Sequence, residues 1–143
     1  MSTTSSTHIG RDEIAAIFAR SAFIRTMNLS VTEVDHERSR FGVRMPLSDM
    51  FERGAGTRQF HGGPLAALID VVGDFAVGML VGGGVPTMNL RIDYLRPAIG
   101  EYVDCVSVVR KIGKTSAVVD IEVMSPDGKL VAIGRGTYVP ISG

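Results

Sequence analysis

Between Pro64 and Val81 the only ionisable side chains are Asp70 and Asp74, and Leu65, Leu68, Ile69, Val72, Ala76, Met79 and Leu80 recur at helical spacing. Proline's fixed φ suits a first helical turn, so the spacing predicts a helix over 64–81, about 27 Å long at ~1.5 Å per residue. A helix apolar nearly all round is a buried one, and whatever else this chain forms must cover it. Asp70 and Asp74 lie four residues apart on one face with Ala66 and Val77. A carboxylate buried without a partner is costly. Asp70 is therefore expected to border a polar cleft, meet a partner, or serve as a functional acid or base. The structural alternative is that both aspartates bind arginines or cap backbone groups of a neighbouring strand.

The 143 residues suffice for one domain with a core that needs no disulfide or metal, and the expected organisation is a disordered tail over 1–10 and a single domain over 11–143. Fifteen basic and fifteen acidic residues balance, which argues against broad attraction to nucleic acid or anionic membrane. Cys105 is the only cysteine, so no disulfide framework or multi-cysteine metal site forms. Lying among strand residues with no sequence-adjacent base, it reads as core rather than nucleophile. The Ser/Thr-rich start lacks the basic and apolar regions of a secretory signal, and the apolar stretch around the central helix carries two aspartates and ends in Gly82-Gly83-Gly84. The expectation is a cytoplasmic protein that no segment anchors in a membrane. His8 lies in the tail and His36 in a turn, neither a good metal ligand, and the triple glycine lacks the Lys-Thr of a phosphate loop.

In chain order, Asp12 and Glu13 open a helix with Ile14, Ile17 and Phe18 on its apolar stripe and Arg20 at its end. A short helical piece carries Phe23, Ile24 and Met27 up to Asn28. Leu29, Val31 and Val34, then Phe41, Val43 and Met45, read as a hairpin turned at Asp35–Arg38. Residues 46–60 show no period and form a loop into the central helix. Past the helix, Thr87, Asn89, Arg91 and Asp93 alternate with Met88, Leu90, Ile92 and Tyr94, predicting a half-buried antiparallel strand. Tyr102–Ile112, Thr115–Val123 and Leu130–Val139 follow, with Ser125-Pro126-Asp127-Gly128 a strong turn. The plan is α+β: a curved antiparallel sheet wrapped around one long helix, with Gly73 and Gly78 letting the sheet approach it.

Several motifs occur in a fixed order: His61-Gly62-Gly63, Asp70 nine residues after the histidine, Thr87, Asn89-Leu90-Arg91-Ile92-Asp93-Tyr94-Leu95-Arg96-Pro97-Ala98, Gly113-Lys114-Thr115 and Asp127-Gly128-Lys129-Leu130-Val131-Ala132. In this set the chain resembles the hotdog-fold acyl-CoA thioesterases of the phenylacetate-degradation, or PaaI-like, type. The resemblance implies homodimers that pair through a continuous sheet, often again into homotetramers, with active sites at the subunit interface and no metal or other cofactor. It makes Asp70 the general base or nucleophile, Gly62 the backbone N–H donor to the oxyanion, and Thr87 the residue that orients water. His61 either donates to the thioester carbonyl or holds the turn. Thioester hydrolysis requires such a carboxylate and such a donor. Gly63 and the basic residues Arg91, Arg96, Lys111 and Lys114 are candidate substrate contacts, the latter for the anionic coenzyme A. Pocket depth is expected from Phe60, Phe75, Met79 and Met88. The chain departs from the family in having Ala55 six residues before the histidine, where relatives carry Asn or Gln. A two-residue insertion brings Arg53 there instead, and Gln59 is a possible substitute. The expected activity is hydrolysis of a medium-chain or aromatic acyl-CoA; the alternative is a non-catalytic hotdog protein that binds acyl-CoA or a partner. A hotdog hydratase is disfavoured, since no histidine follows His61.

Overall fold

The computed structural model describes residues 7–141. Helix α1 (Arg11–Arg20) and the single turn α2 (Ala22–Arg25) lead into the hairpin β1 (Ser30–Asp35) and β2 (Arg40–Pro46). A long loop then enters α3 (Gly62–Val81), which is followed by β3 (Thr87–Tyr94), β4 (Tyr102–Ile112), β5 (Ala117–Met124) and β6 (Leu130–Tyr138). The six strands form one antiparallel sheet in the order β1-β2-β4-β5-β6-β3, so the first strand after the long helix becomes an edge. This is the α+β hotdog architecture that the resemblance implies.

The inward row of the sheet, including Phe41, Val43, Val103, Cys105, Val119, Ile121 and Val123, packs on Leu68, Ile69, Val72, Ala76 and Met79 of α3. By length and apolarity Gly62–Val81 passes for a membrane span, but 61% of its most apolar window is buried inside the protein, the condition of a core helix. Helix and sheet come close where the sheet-facing glycines lie. A Cβ built on Gly134 stands 2.7 Å from Ile69 Cγ2, and one on Gly73 stands 2.7 Å from Tyr138 Cζ and nearer still to the hydroxyl. Gly78 plays a different part from the one expected. Its carbonyl accepts the N–H groups of Gly82 (2.8 Å) and Gly83 (3.0 Å), and a Cβ there meets Gly83 rather than the sheet. Gly82, at φ 103°, supplies the left-handed residue that closes this helical cap.

The helix begins two residues before the predicted Pro64. His61 is extended (φ −60°, ψ 154°) and caps it, and Pro64 falls at the third helical position. Its missing N–H is harmless there, because the first-turn N–H groups have no intrahelical acceptor. Of the tail expected over 1–10, residues 1–6 lie outside the described residues. Thr7–Gly10 are tied down: Thr7 Oγ1 donates to Leu80 O (2.8 Å), Ile9 N–H to Met79 O (3.0 Å), and His36 Nε2 sits 2.7 Å from Ile9 O.

Candidate active site

The loop before α3 is pinned so that the helix start opens on a cleft. Arg53 N–H donates to Gln59 O (2.7 Å), Phe60 N–H to Ala98 O (2.9 Å) and His61 N–H to Phe51 O (2.8 Å). The Gly62 and Gly63 N–H groups have no intrahelical acceptor and meet no other protein acceptor among the described residues. Tyr94 Oη donates to the Gly62 carbonyl (2.7 Å), and a Cβ on Gly62 would press on that ring at 3.3 Å. The cleft, about 560 Å³, is lined by Arg53, Gln59, His61, Gly62, Tyr94 and Arg96 among others, with no carboxylate in its wall. Among the described residues neither arginine is in an ion pair. Positive side chains and free helical N–H groups together make this end of α3 a place for negative charge.

The other part of the site lies two turns along. Asp70 is half-buried, and its Oδ1 accepts the Thr87 hydroxyl at 2.8 Å. This contact depends on a register shift between Thr87 and Asn89: Thr87 pairs with Tyr138 while Asn89 pairs with Thr137. Alternation predicted Thr87 on the outer row with Asn89, Arg91 and Asp93. The irregularity at Met88 instead puts Thr87 on the helix side of the strand, in register with Tyr138 though still exposed, and leaves Met88 62% exposed. Tyr138 is fully buried between Gly73 and Gly136 and donates to the Asp70 carbonyl (3.2 Å). Burial, with Asp70 and Asp74 nearby, pushes its phenol well up from the ordinary value.

Asp74 Oδ1 accepts the Val85 N–H at 2.8 Å, as the structural alternative for these aspartates anticipated. Burial, aided by the neighbouring Asp70 charge and opposed by the Val85 bond, pushes its carboxyl up to about 7. Cys105 is buried, and burial raises its thiol well above the usual value, which makes it core rather than nucleophile.

The structure thus divides the sequence-derived candidates into groups. Gly62, His61 and Arg96 share the cleft, with Gly63 next along the helix; Asp70 and Thr87 form a hydrogen-bonded pair. Arg91 stands on the outer face of the sheet, 3.5 Å from Asp93 and beside Arg135. Lys111 and Lys114 are exposed at the β4–β5 hairpin. The register Ile112–Ala117–Tyr138–Thr87 puts that hairpin at the Asp70 end of the sheet. Phe75 and Met79 do not line the cleft. Both are buried in the core, Phe75 edge-on to Phe18 with ring centroids 4.9 Å apart, because they lie on the helix face that the sheet and α1 cover. Phe60 does line it. Ala55 is exposed in the loop and is not part of the cleft wall, whereas Gln59 and Arg53 are. Sequence reasoning missed Tyr94 as a site residue, and it reached Arg53 only as the residue that a two-residue insertion aligns with the family's Asn or Gln. Tyr94 carried the signal of an aromatic ending its strand just before Arg96-Pro97. Among the described residues no cluster of three metal-ligating side chains occurs.

The chain matches the thioesterase superfamily over residues 60–132, which contain the helix, the edge strand and most of the sheet. A protein of Halobacterium salinarum named as a candidate esterase is 35% identical over 121 residues, spanning 77% of this chain and 80% of its own length. A solved protein of the thioesterase superfamily superposes with a TM-score of 0.83 at 32% identity, over 90% of this chain and 96% of that one. The PaaI protein of the E. coli phenylacetic acid degradation operon superposes with a TM-score of 0.78 at 25% identity, over 92% of this chain and 93% of that one. The chain therefore belongs to the thioesterase superfamily, as a PaaI-like member with the hotdog fold.

Proposed function

We propose that the protein hydrolyses a medium-chain or aromatic acyl-CoA to the free acid and coenzyme A. The observation that carries this reading is Asp70: a half-buried carboxylate on an apolar helix, oriented by the Thr87 hydroxyl at 2.8 Å, where a packing role needs no charge. In the base mechanism Asp70 takes a proton from water as the water oxygen bonds to the thioester carbon. The negative charge gathers on the carbonyl oxygen, which the Gly62 N–H stabilises. The C–S bond then breaks, and the proton goes to the departing thiolate. In the nucleophile mechanism Asp70 forms the new C–O bond itself as the C–S bond breaks and the thiolate leaves; water then hydrolyses the anhydride, freeing Asp70 and the acid, and its proton goes to the thiolate. After a single turnover in 18O water, label in the Asp70 carboxylate identifies the second route, with water attacking the Asp70 carbonyl of the anhydride.

Asp70 lies about 12 Å along the helix axis from Gly62, too far for both to act on one carbonyl within a protomer. Antiparallel pairing of two β3 edges brings the Gly62 end of one copy to the Asp70–Thr87 end of the other. The exposed Met88 and Tyr94 on that edge support such a dimer. The same pairing joins Arg53 and Arg96 of one copy to Lys111 and Lys114 of the other around the anionic part of coenzyme A, with Gly63 alongside the acyl chain.

The test is thiol release from short, medium, long and aromatic acyl-CoA esters by the parent and by Asp70→Ala. Release by the parent, reduced at least a hundredfold in the variant, upholds the reading. Equal rates would remove Asp70 from the chemistry, and absence of release in both would leave an acyl-CoA-binding protein.

A further inference from the structure

We propose that Asp74 is a positioning residue, whose bond to the Val85 amide holds the segment between α3 and β3 in the register that seats the Thr87 hydroxyl on Asp70. The inference rests on the thioesterase reading for its catalytic consequence, and on the following geometry for its structural part. Two contacts join the helix stripe to the segment beside it: Val85 N–H to Asp74 Oδ1 (2.8 Å) and Thr87 Oγ1 to Asp70 Oδ1 (2.8 Å). Four helical residues rise about 6 Å, and two extended residues span about 6.6 Å. The spacing from Asp70 to Asp74 therefore matches that from Thr87 back to Val85, and the two bonds form adjacent rungs of one ladder. Between them Pro86 has no N–H to give, and its carbonyl accepts from Val139 (2.9 Å). Beyond them the register shifts at Met88. A shift is what puts Thr87 on the helix side of the strand, so a neighbouring anchor is needed to hold it in that place, and Asp74 supplies one from the helix.

A neutral amide could accept the Val85 N–H without the cost of a buried carboxylate, so the presence of aspartate calls for more than a cap. The groups facing Asp74 are Asp70 from its own helix, the Tyr138 phenol from β6 and the Val85 N–H from the turn, with Thr87 one rung away. Among the described residues Asp74 is in no ion pair. Held up to about 7 by burial, its carboxyl ionises near neutrality. Above that pH it makes a charge-assisted bond and the ladder tightens; below it the bond becomes a neutral one and the rung at Thr87 loosens.

The experiment combines amide NMR with thiol-release kinetics on the parent, Asp74→Asn and Asp74→Ala. In the parent, the Val85 and Thr87 amide resonances are expected to move together with a midpoint near pH 7. They should not titrate in Asp74→Asn, and in Asp74→Ala the Val85 amide should exchange at least tenfold faster. kcat is expected to fall at least tenfold in Asp74→Ala with KM changed less than twofold. Asp74→Asn should recover most of that kcat and lose the step near pH 7 in the acid limb of the parent's pH profile. A Val85 amide that neither titrates in the parent nor exchanges faster in Asp74→Ala overturns the proposal, as does an acid limb unchanged near pH 7 in Asp74→Asn. If Asp74→Ala does not fold, Asp74→Asn alone decides by its titration and pH profile. If the parent releases no thiol, the thioesterase reading falls separately. The response of the Thr87 amide to Asp74→Asn then upholds the positioning role, and its silence overturns it.

Discussion

Replacing Gly73 by alanine sets two effects of opposite sign against each other. In a helix interior Gly→Ala favours folding by about 1 kcal/mol, since glycine loses more backbone freedom. Here the added methyl would stand 2.7 Å from Tyr138 Cζ, and nearer to the hydroxyl, where a normal contact is ~3.5–4.0 Å. The ring must retreat by about 1 Å, but it is fully buried and already lies against Gly136, where a Cβ would be 2.5 Å away. Helix and strand must therefore part. Overpacking of this kind costs about 1–3 kcal/mol, and loss of the Tyr138 bond to the Asp70 carbonyl about 1 more. The clash wins, for a net loss of about 2 kcal/mol, or roughly 8 °C in Tm at about 4 °C per kcal/mol. Urea unfolding at fixed protein concentration measures it. Gly63→Ala, with nothing within 4 Å of the new Cβ, is the control and should be neutral or slightly stabilising. In a Tyr138→Phe background, where the nearest clashing atom is absent, the cost of Gly73→Ala should shrink by about 1 kcal/mol. A Gly73→Ala protein as stable as the parent would refute the reasoning.

Thr87→Ala should lower kcat about tenfold, the value of roughly one hydrogen bond to a charged group, and Thr87→Ser should restore most of it in the same thiol-release assay. Asp74 makes stability depend on pH. Its folded pKa is raised from 3.8 to about 7, so its contribution is fully present below about 4 and is lost as pH rises through about 7. The loss is at most ~1.4 kcal/mol per pH unit and about 4 kcal/mol in all. In urea titrations the stability of Asp74→Asn relative to the parent should therefore rise from pH 5 to 7 and level off above; parallel curves would contradict the assignment. Arg53→Ala and Arg96→Ala should each raise KM several-fold for acyl-CoA at low salt with kcat kept. An acyl-N-acetylcysteamine ester, which lacks the phosphates, should show no such change in steady-state kinetics.

Local physics made much of this protein legible before its structure. The apolar run from Leu65 to Val81, broken only by Asp70 and Asp74, already required a central helix under a sheet, and the strand alternations and the Pro126-Asp127-Gly128 turn supplied that sheet. Helical period, strand period and turn chemistry are carried by neighbours in sequence, so no distant contact is needed to read them. The ordered motifs around His61, Asp70 and Arg96 likewise placed the chain in its superfamily. What sequence could not decide depends on partners distant in the chain. The place of Thr87 on the helix side of its strand follows from pairing with Tyr138 across a register shift, which strict alternation along β3 excludes. Gln59, rather than Ala55, lines the cleft because the loop is pinned to Phe51 and Ala98. Phe75 and Met79 belong to the core because the sheet and α1 cover their side of α3. The sequence by itself determined which elements form and which carboxylates need explaining. Only the tertiary structure decided which groups those carboxylates meet, because a two-residue ladder between a helix and a strand exists only once both are packed together.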